Sequence, residues 1–289
     1  MVLPKIEYIR AQTLAEASNL MVELGKGAKI MNGGTDLLPP MNDGVLKPTH
    51  LVDIKNIPGL DYITYDEKEG LKIGALTKLR EIEFSPVVRE KNPAVASAAA
   101  YVASMQVRAK GTMAGNITNA SPSNDTGPIL LAQNAKVLVH RHDGKETEIP
   151  MDKFYIGFKQ TALETGDIIT ALVIPPLAKG EHAAYIKHSV RRAMDLAIVG
   201  VAAWIKLEGN KCVDARIALG GVSISTIRAP AAEDLLKGKE ITDELLEKVG
   251  IAAMNSCKPI SDVRASAEYR SDMVRVFTKR VIKKALEVA

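Results

Sequence analysis

Residues 5–10 have the make-up of a short strand, and after them Leu14, Ala17, Met21 and Leu24 fall on one face of a helix. Thr13 stands at the N-cap position of that helix, and Glu16 completes a capping box. Gly25 and Gly27 end it. The apolar run 28–31 then predicts a strand that empties directly into Asn32-Gly33-Gly34-Thr35-Asp36. A further strand is expected over 50–55. Residues 61–76 pattern as a hairpin whose arms flank Asp66-Glu67-Lys68-Glu69-Gly70, and an alanine-rich helix covers 93–104.

The stretch 105–127 is polar, carries glycine and shows no strong period. A connection that long in a compact domain is either functional or disordered, and its composition favours the functional reading. Next come a short helix over 128–134, a hairpin of 136–141 and 145–150 over His142-Asp143-Gly144, and an apolar strand over 168–174 that Pro175-Pro176 terminates. The double proline marks the expected domain boundary, giving a domain over 1–176, with lobes of about 1–57 and 58–176, and a smaller one over 177–289. In the second, strands at 182–188, 198–207 and 212–219 precede helices at 230–237, 243–257 and 267–288. Strands and helices in separate blocks predict an α+β fold rather than a βαβ array.

Composition narrows the function classes. The 289 residues carry 38 basic and 34 acidic side chains, a net +4 that is too weak a bias to point to nucleic acid or an anionic membrane. Small-molecule or protein partners are expected instead. Cys212 and Cys257 are the two cysteines, too few for a disulfide framework or a cysteine-ligated cluster, so any iron–sulfur centre has to come from another chain. No signal-peptide pattern opens the chain and no run is long and apolar enough for a membrane span, so a cytoplasmic location is expected. His50, His140, His142, His182 and His188 lack metal-site spacing, and no metal ligand set is predicted. His140 and His142 are expected to face solvent beside their hairpin. Ser121 and Ser123 lack the setting of a hydrolase nucleophile. Arg270, Arg275, Lys279, Arg280, Lys283 and Lys284 pattern as the wet face of the last helix, opposite Met273, Phe277, Val281 and Leu286.

The chemistry is concentrated in two glycine-bearing loops, Ile30-Met31-Asn32-Gly33-Gly34-Thr35-Asp36-Leu37 and Gly111-Thr112-Met113-Ala114-Gly115-Asn116. Glycine lets backbone N–H groups converge on an anion such as a pyrophosphate, and Thr35 and Thr112 add hydroxyls. Neither loop has the Rossmann or P-loop spacing. By themselves Gly33-Gly34 can be a tight turn, Asp36 and Asp125 turn aspartates, and Lys187 a solvated lysine.

Together the loops resemble those of the FAD-binding subunit in the xanthine dehydrogenase and carbon monoxide dehydrogenase family. The first matches that family's Gly-Gly-Thr-Asp-Leu loop. The second matches its T-x-G-G-N-x-x-x-A-x-P-x-x-D run, here Thr112 to Asp125, and a third match is Tyr185-Ile186-Lys187-His188-Ser189-Val190-Arg191-Arg192. Asn32 stands where relatives usually carry alanine, and Ala114 where they usually carry a glycine. The resemblance implies a two-lobed FAD-binding domain of the p-cresol methylhydroxylase type and a C-terminal α+β domain. It also implies that Ile30, Met31, Asn32, Gly33, Gly34, Thr35, Asp36 and Leu37, with Thr112, Ala114, Gly115 and Asn116, hold the pyrophosphate. Asp125 would meet a ribose or ribityl hydroxyl and Ile169 would lie near the adenine or ring. Val102, or its neighbour Tyr101, would pack on the flavin, with Lys187 at the flavin's polar edge. Arg191-Arg192 would serve the site or a partner.

By function, the resemblance implies an oxidoreductase subunit with no catalytic acid or base of its own. A molybdenum-binding large subunit (Mo-pterin) and a small subunit with 2Fe-2S clusters would supply electrons, which this chain's FAD would pass to NAD+ or another acceptor. The alternative is a stand-alone flavin-dependent reductase on the same scaffold.

Overall fold

The computed structural model describes residues 5–191 and 193–287. Residues 1–4, Arg192 and position 288, the expected end of the last helix, lie outside the described part. The architecture is α+β, as expected, and is organised around three larger sheets, beside a two-stranded one of Tyr155–Gly157 and Gln160–Thr161.

The first sheet is three-stranded and parallel, with His50–Asp53 between Glu7–Arg10 and Ala28–Met31. Helix Leu14–Leu24 is the crossover that parallel pairing requires. Thr13 Oγ1 accepts from the Glu16 N–H at 3.1 Å, while the Glu16 carboxylate accepts from the Gln12 N–H at 2.7 Å, one residue before the position a capping box uses. Gly25 ends the helix at φ +55°, a conformation open to glycine at little cost.

The second sheet is antiparallel, in the order Ile63–Asp66, Gly70–Gly74, Ile168–Ile174, Lys136–His140, Glu146–Pro150. Between Gly74 and Lys136 the chain leaves the sheet to build a helical cover that includes Leu79–Phe84, Pro86–Lys91, Pro93–Tyr101 and Gly127–Ala132. The first two of these helices have no counterpart in the sequence reading. Each is 6 residues long, too short to display a period, and Ser85 caps the second through Val88 N–H at 3.4 Å. The expected helix over 93–104 stops at Tyr101. The expected loop over 105–127 contains two short helices, Met105–Arg108 and Met113–Thr118, capped by Ser104 and Thr112.

The third sheet, Glu181–His188, Val199–Glu208, Lys211–Gly220 and Ile227–Arg228, with Lys239–Glu240 also paired to the third of these strands, serves two cores at once. Along its second strand Ala202 and Trp204 face the helical cover, whereas Val201, Ala203 and Ile205 face the C-terminal helices Pro230–Leu236, Asp243–Asn255 and Ala267–Glu287. The alternation of strand side chains forces this division and welds the two halves together without a separate interface. Arg270 corrects the sequence reading. It is buried, donating to the Ile198 carbonyl at 2.7 Å and to Asp262 at 2.8 Å, so the basic face of the last helix is only partly wet. Lys284 likewise turns inward to the Tyr185 carbonyl at 3.1 Å. His140 is half-buried against Glu146, and His142 is exposed. Among the described residues no helix is long and apolar enough to cross a membrane.

Candidate functional site

The first loop is shaped by what only glycine permits. Gly34 sits at φ +74°, and its carbonyl accepts from Leu37 and Leu38 N–H at 3.1 and 2.9 Å, closing the turn into helix Leu38–Asn42. Gly33 has a different reason. A Cβ there would lie 2.1 Å from the Lys110 carbonyl oxygen and 2.9 Å from Gly111 Cα, so the backbones of the two loops are in direct contact. In the second loop Thr112 Oγ1 accepts from the Gly115 N–H at 3.0 Å. Ala114, one of the two departures from the resemblance, lies within helix Met113–Thr118 and outside the left-handed region, so the extra methyl brings no backbone strain.

These loops border a cleft of about 780 Å³, within the size range of small-molecule and cofactor sites. It runs past Ile30, Asn32, Gly33, Gly34, Thr35, Asp36 and Leu37 on one wall and past Thr112, Ala114, Gly115, Asn116 and Asp125 on another. Val102 and Ile169 also line it. Arg108 holds the Val102 carbonyl at 2.9 Å and is itself paired with Glu83 at 2.8 Å. Around Ile169 the register to the neighbouring strand slips, so Ile168 and Ile169 both reach the cleft where strict alternation would separate them. Asp36 stands at the rim, where the surrounding wall raises its carboxyl above the usual range and Lys159 opposes the rise.

Of the residues named from the sequence for the cofactor, Met31 and Lys187 do not line the cleft, and neither does Tyr101, the alternative to Val102. Met31 turns away, its terminal methyl beside Gly34. Lys187 is buried behind the wall, and its ammonium donates to Asp125 Oδ2 at 2.8 Å, to the Tyr101 carbonyl at 3.1 Å and to the Asp195 carbonyl at 2.8 Å. An ammonium has three protons, and all three are used. Lys187 therefore has no donor left for a flavin edge; nor is it a solvated lysine. It knots together three pieces of cleft wall. The other oxygen of Asp125 accepts from the Tyr185 hydroxyl at 3.0 Å. Burial holds the Asp125 carboxyl above the usual carboxylate range, with Lys187 and Tyr185 pulling it down. Burial and the Asp125 carboxylate push the Tyr185 phenol well above its own range. Gly200 makes this arrangement possible, since a Cβ there would stand 2.7 Å from the Tyr185 hydroxyl.

The sequence reading missed several parts of the cleft, among them Ala75, Leu79 and Asp167, the pair Lys159 and Leu163, and the run Met194, Asp195 and Leu196. Lys159 and Met194 adopt left-handed φ of +51° and +58° without being glycine, so no residue type announced them. Met194 N–H donates to the Ala103 carbonyl at 3.1 Å, and Ala103 is itself left-handed at φ +43°. Only the fold brings these segments together. Among the described residues no group of three or more His, Cys, Asp or Glu side chains could hold a metal ion.

Comparison with known proteins bears on what the cleft holds. Residues 4–177 match the family described as FAD binding domain in molybdopterin dehydrogenase, and residues 184–285 match the CO dehydrogenase flavoprotein C-terminal domain. The chain is 34% identical over 285 residues to the carbon monoxide dehydrogenase medium chain of Hydrogenophaga pseudoflava, covering 99% of this chain and 98% of that one. It is 34% identical over 280 residues to the glyceraldehyde dehydrogenase medium chain of Sulfolobus acidocaldarius, covering 97% and 98%. In three dimensions it is similar to a chain of carbon monoxide dehydrogenase from Hydrogenophaga pseudoflava, with a TM-score of 0.95, 34% identity and 99% of each chain covered.

Proposed function

The chain belongs to the family of FAD-binding subunits of molybdopterin dehydrogenases, and from that premise we propose that it is the flavoprotein station of a multi-subunit molybdenum hydroxylase. It takes electrons from 2Fe-2S clusters on a small partner subunit, which receive them from a Mo-pterin large subunit, and passes them to NAD+ or another acceptor. The observation that carries this reading is the contact of two glycine-bearing loops through their backbones at the wall of a cofactor-sized cleft. Relatives that the chain matches end to end are medium chains, which favours a subunit over a stand-alone reductase.

The cleft fits FAD on its own chemistry. A diphosphate needs convergent donors and no side-chain bulk, and Gly33, Gly34, Gly115 and the hydroxyls of Thr35 and Thr112 meet both needs. Apolar Val102, Ile168 and Ile169 offer flat rings a dry surface. FAD, when bound, supplies the electron-accepting chemistry. The residues of the chain bind and orient it. Lys187 and Asp125 fix the wall segments, and buried Val102, Ile168 and Ile169 exclude water.

Acid extraction of the purified complex is expected to release noncovalent FAD in about equal amount to this chain, with molybdenum and iron co-purifying in larger partners. FMN alone, or no flavin, would overturn the proposal. The isolated chain is expected to hydroxylate nothing while still reducing an artificial acceptor from NADH. Substrate-dependent turnover by the single chain would favour the stand-alone reductase.

A further inference from the structure

We propose that Asn32 is a positioning residue for the FAD diphosphate, bracing the two loops and leaving the Thr112 hydroxyl proton free for the bound anion alone. The inference rests on the cleft being the FAD site. The Asn32 amide nitrogen donates to the Ala75 carbonyl at 2.9 Å and to Thr112 Oγ1 at 3.0 Å. A carbonyl oxygen only accepts, so the contact with Ala75 fixes which end of the amide faces it. Both amide protons are then assigned, one to each partner.

The consequence falls on Thr112. Its hydroxyl oxygen has two lone pairs, one taken by the Gly115 N–H at 3.0 Å and the other by Asn32. The proton is all that Thr112 has left to offer, and no acceptor for it lies among the described residues. Thr112 lines the cleft yet is 2% exposed, so bulk water is a poor substitute. An anionic oxygen in the cleft is the missing acceptor. Asn32 also immediately precedes Gly33, whose backbone lies against Lys110 and Gly111. One carboxamide therefore holds the Ala75 strand end, the first loop and the second loop in fixed relation. Alanine at position 32 would leave the Ala75 carbonyl one donor short and return a lone pair to Thr112, whose hydroxyl could then rotate away from the donor role.

Binding of FAD, ADP and AMP to the flavin-free full-length chain tests this by titration calorimetry. Only FAD and ADP carry a diphosphate. For Asn32→Ala, FAD and ADP are each expected to bind about tenfold more weakly, the equivalent of one hydrogen bond, while AMP changes less than about twofold. Asn32→Asp keeps the size but cannot donate, and it should lose at least as much. In a Thr112→Val background Asn32→Ala should cost clearly less than it does in the wild type, because the part of its effect that runs through the hydroxyl is already gone and only the Ala75 contact remains to be lost. Unchanged FAD and ADP binding in Asn32→Ala would overturn the role of Asn32 while leaving the FAD site standing. An equal loss for AMP would overturn it in favour of general loosening. A wild-type chain that binds no FAD would instead overturn the reading of the cleft itself.

Discussion

Lys187→Met is expected to lower the unfolding free energy by about 3–5 kcal/mol at pH 8, the range for breaking one side of a buried ion pair. Methionine keeps the length of the side chain but donates nothing, so Asp125 is left as an unpaired carboxylate at 6% exposure and the Tyr101 and Asp195 carbonyls lose their donor. The deficit should depend on pH. Burial already holds the Asp125 carboxyl above the usual range, and without Lys187 it rises further. A carboxyl whose folded pKa lies above its unfolded value of about 3.9 binds protons preferentially in the folded state. Its penalty is therefore absent below that value, grows as pH rises towards the folded pKa, and is constant above it. Relative to wild type, the variant should be closer in stability at pH 5 than at pH 8. Lys187→Met with Asp125→Asn removes both charges and should recover much of the loss. Urea unfolding of the three proteins at the two pH values decides it: a single variant within about 1 kcal/mol of wild type at pH 8 would mean that Lys187 holds no buried pair.

Gly33→Val is expected to weaken FAD binding by at least about 100-fold, on the scale that a displacement of roughly 1 Å imposes on a positioned group. The Cβ would stand 2.1 Å from the Lys110 carbonyl oxygen and 2.8 Å from its carbon, and both are backbone atoms that cannot rotate away. The loops must separate, carrying their donors apart. Gly115→Ala is the contrast. Its Cβ meets no backbone, and nothing nearer than Thr112 Oγ1 at 3.1 Å, so the loops stay together and only the methyl beside the diphosphate and a small shift of that hydroxyl count: FAD affinity should fall by about tenfold, well short of the Gly33→Val loss. Flavin content after purification and titration of the flavin-free proteins measure both, with circular dichroism as the check on folding. Stoichiometric flavin in Gly33→Val would mean that the loops are not the diphosphate site.

The elements with strong periodicity were legible in advance. The strands Ala28–Met31 and Ile168–Ile174 fall where their apolar runs end at glycine and proline, and the helix after Thr13 begins where its cap predicts. The short helices Leu79–Phe84, Pro86–Lys91, Met105–Arg108 and Met113–Thr118 were not, because one or two turns carry too few residues to show a period. Arg270 was misplaced for a related reason: pattern assigns a charged residue to the wet face, but the Ile198 and Gly221 carbonyls, distant in sequence, and the Asp262 carboxylate draw its guanidinium inside.

For the site, the two glycine-bearing loops could be picked out along the chain, because glycine acts on the backbone beside it and leaves a local signature, and the resemblance of their sequences to a known family gave them a cofactor role. Asp125 and Lys187 read by themselves as a turn aspartate and a solvated lysine, and only the resemblance singled them out. Their roles came from the packing of distant segments. The strand Glu181–His188 places Lys187 62 positions from its carboxylate partner, and Gly200 on the adjacent strand clears the space for Tyr185. The left-handed Met194 joined the cleft on the same terms, since its N–H is held by the distant Ala103 carbonyl, whereas Lys159 sits in the tight turn of a short local hairpin, Tyr155–Gly157 with Gln160–Thr161, and the turn between those strands carries no glycine or asparagine to announce it. Local backbone chemistry reads along the chain, whereas the pairing of a buried charge depends on which distant segments the packed sheets bring within reach.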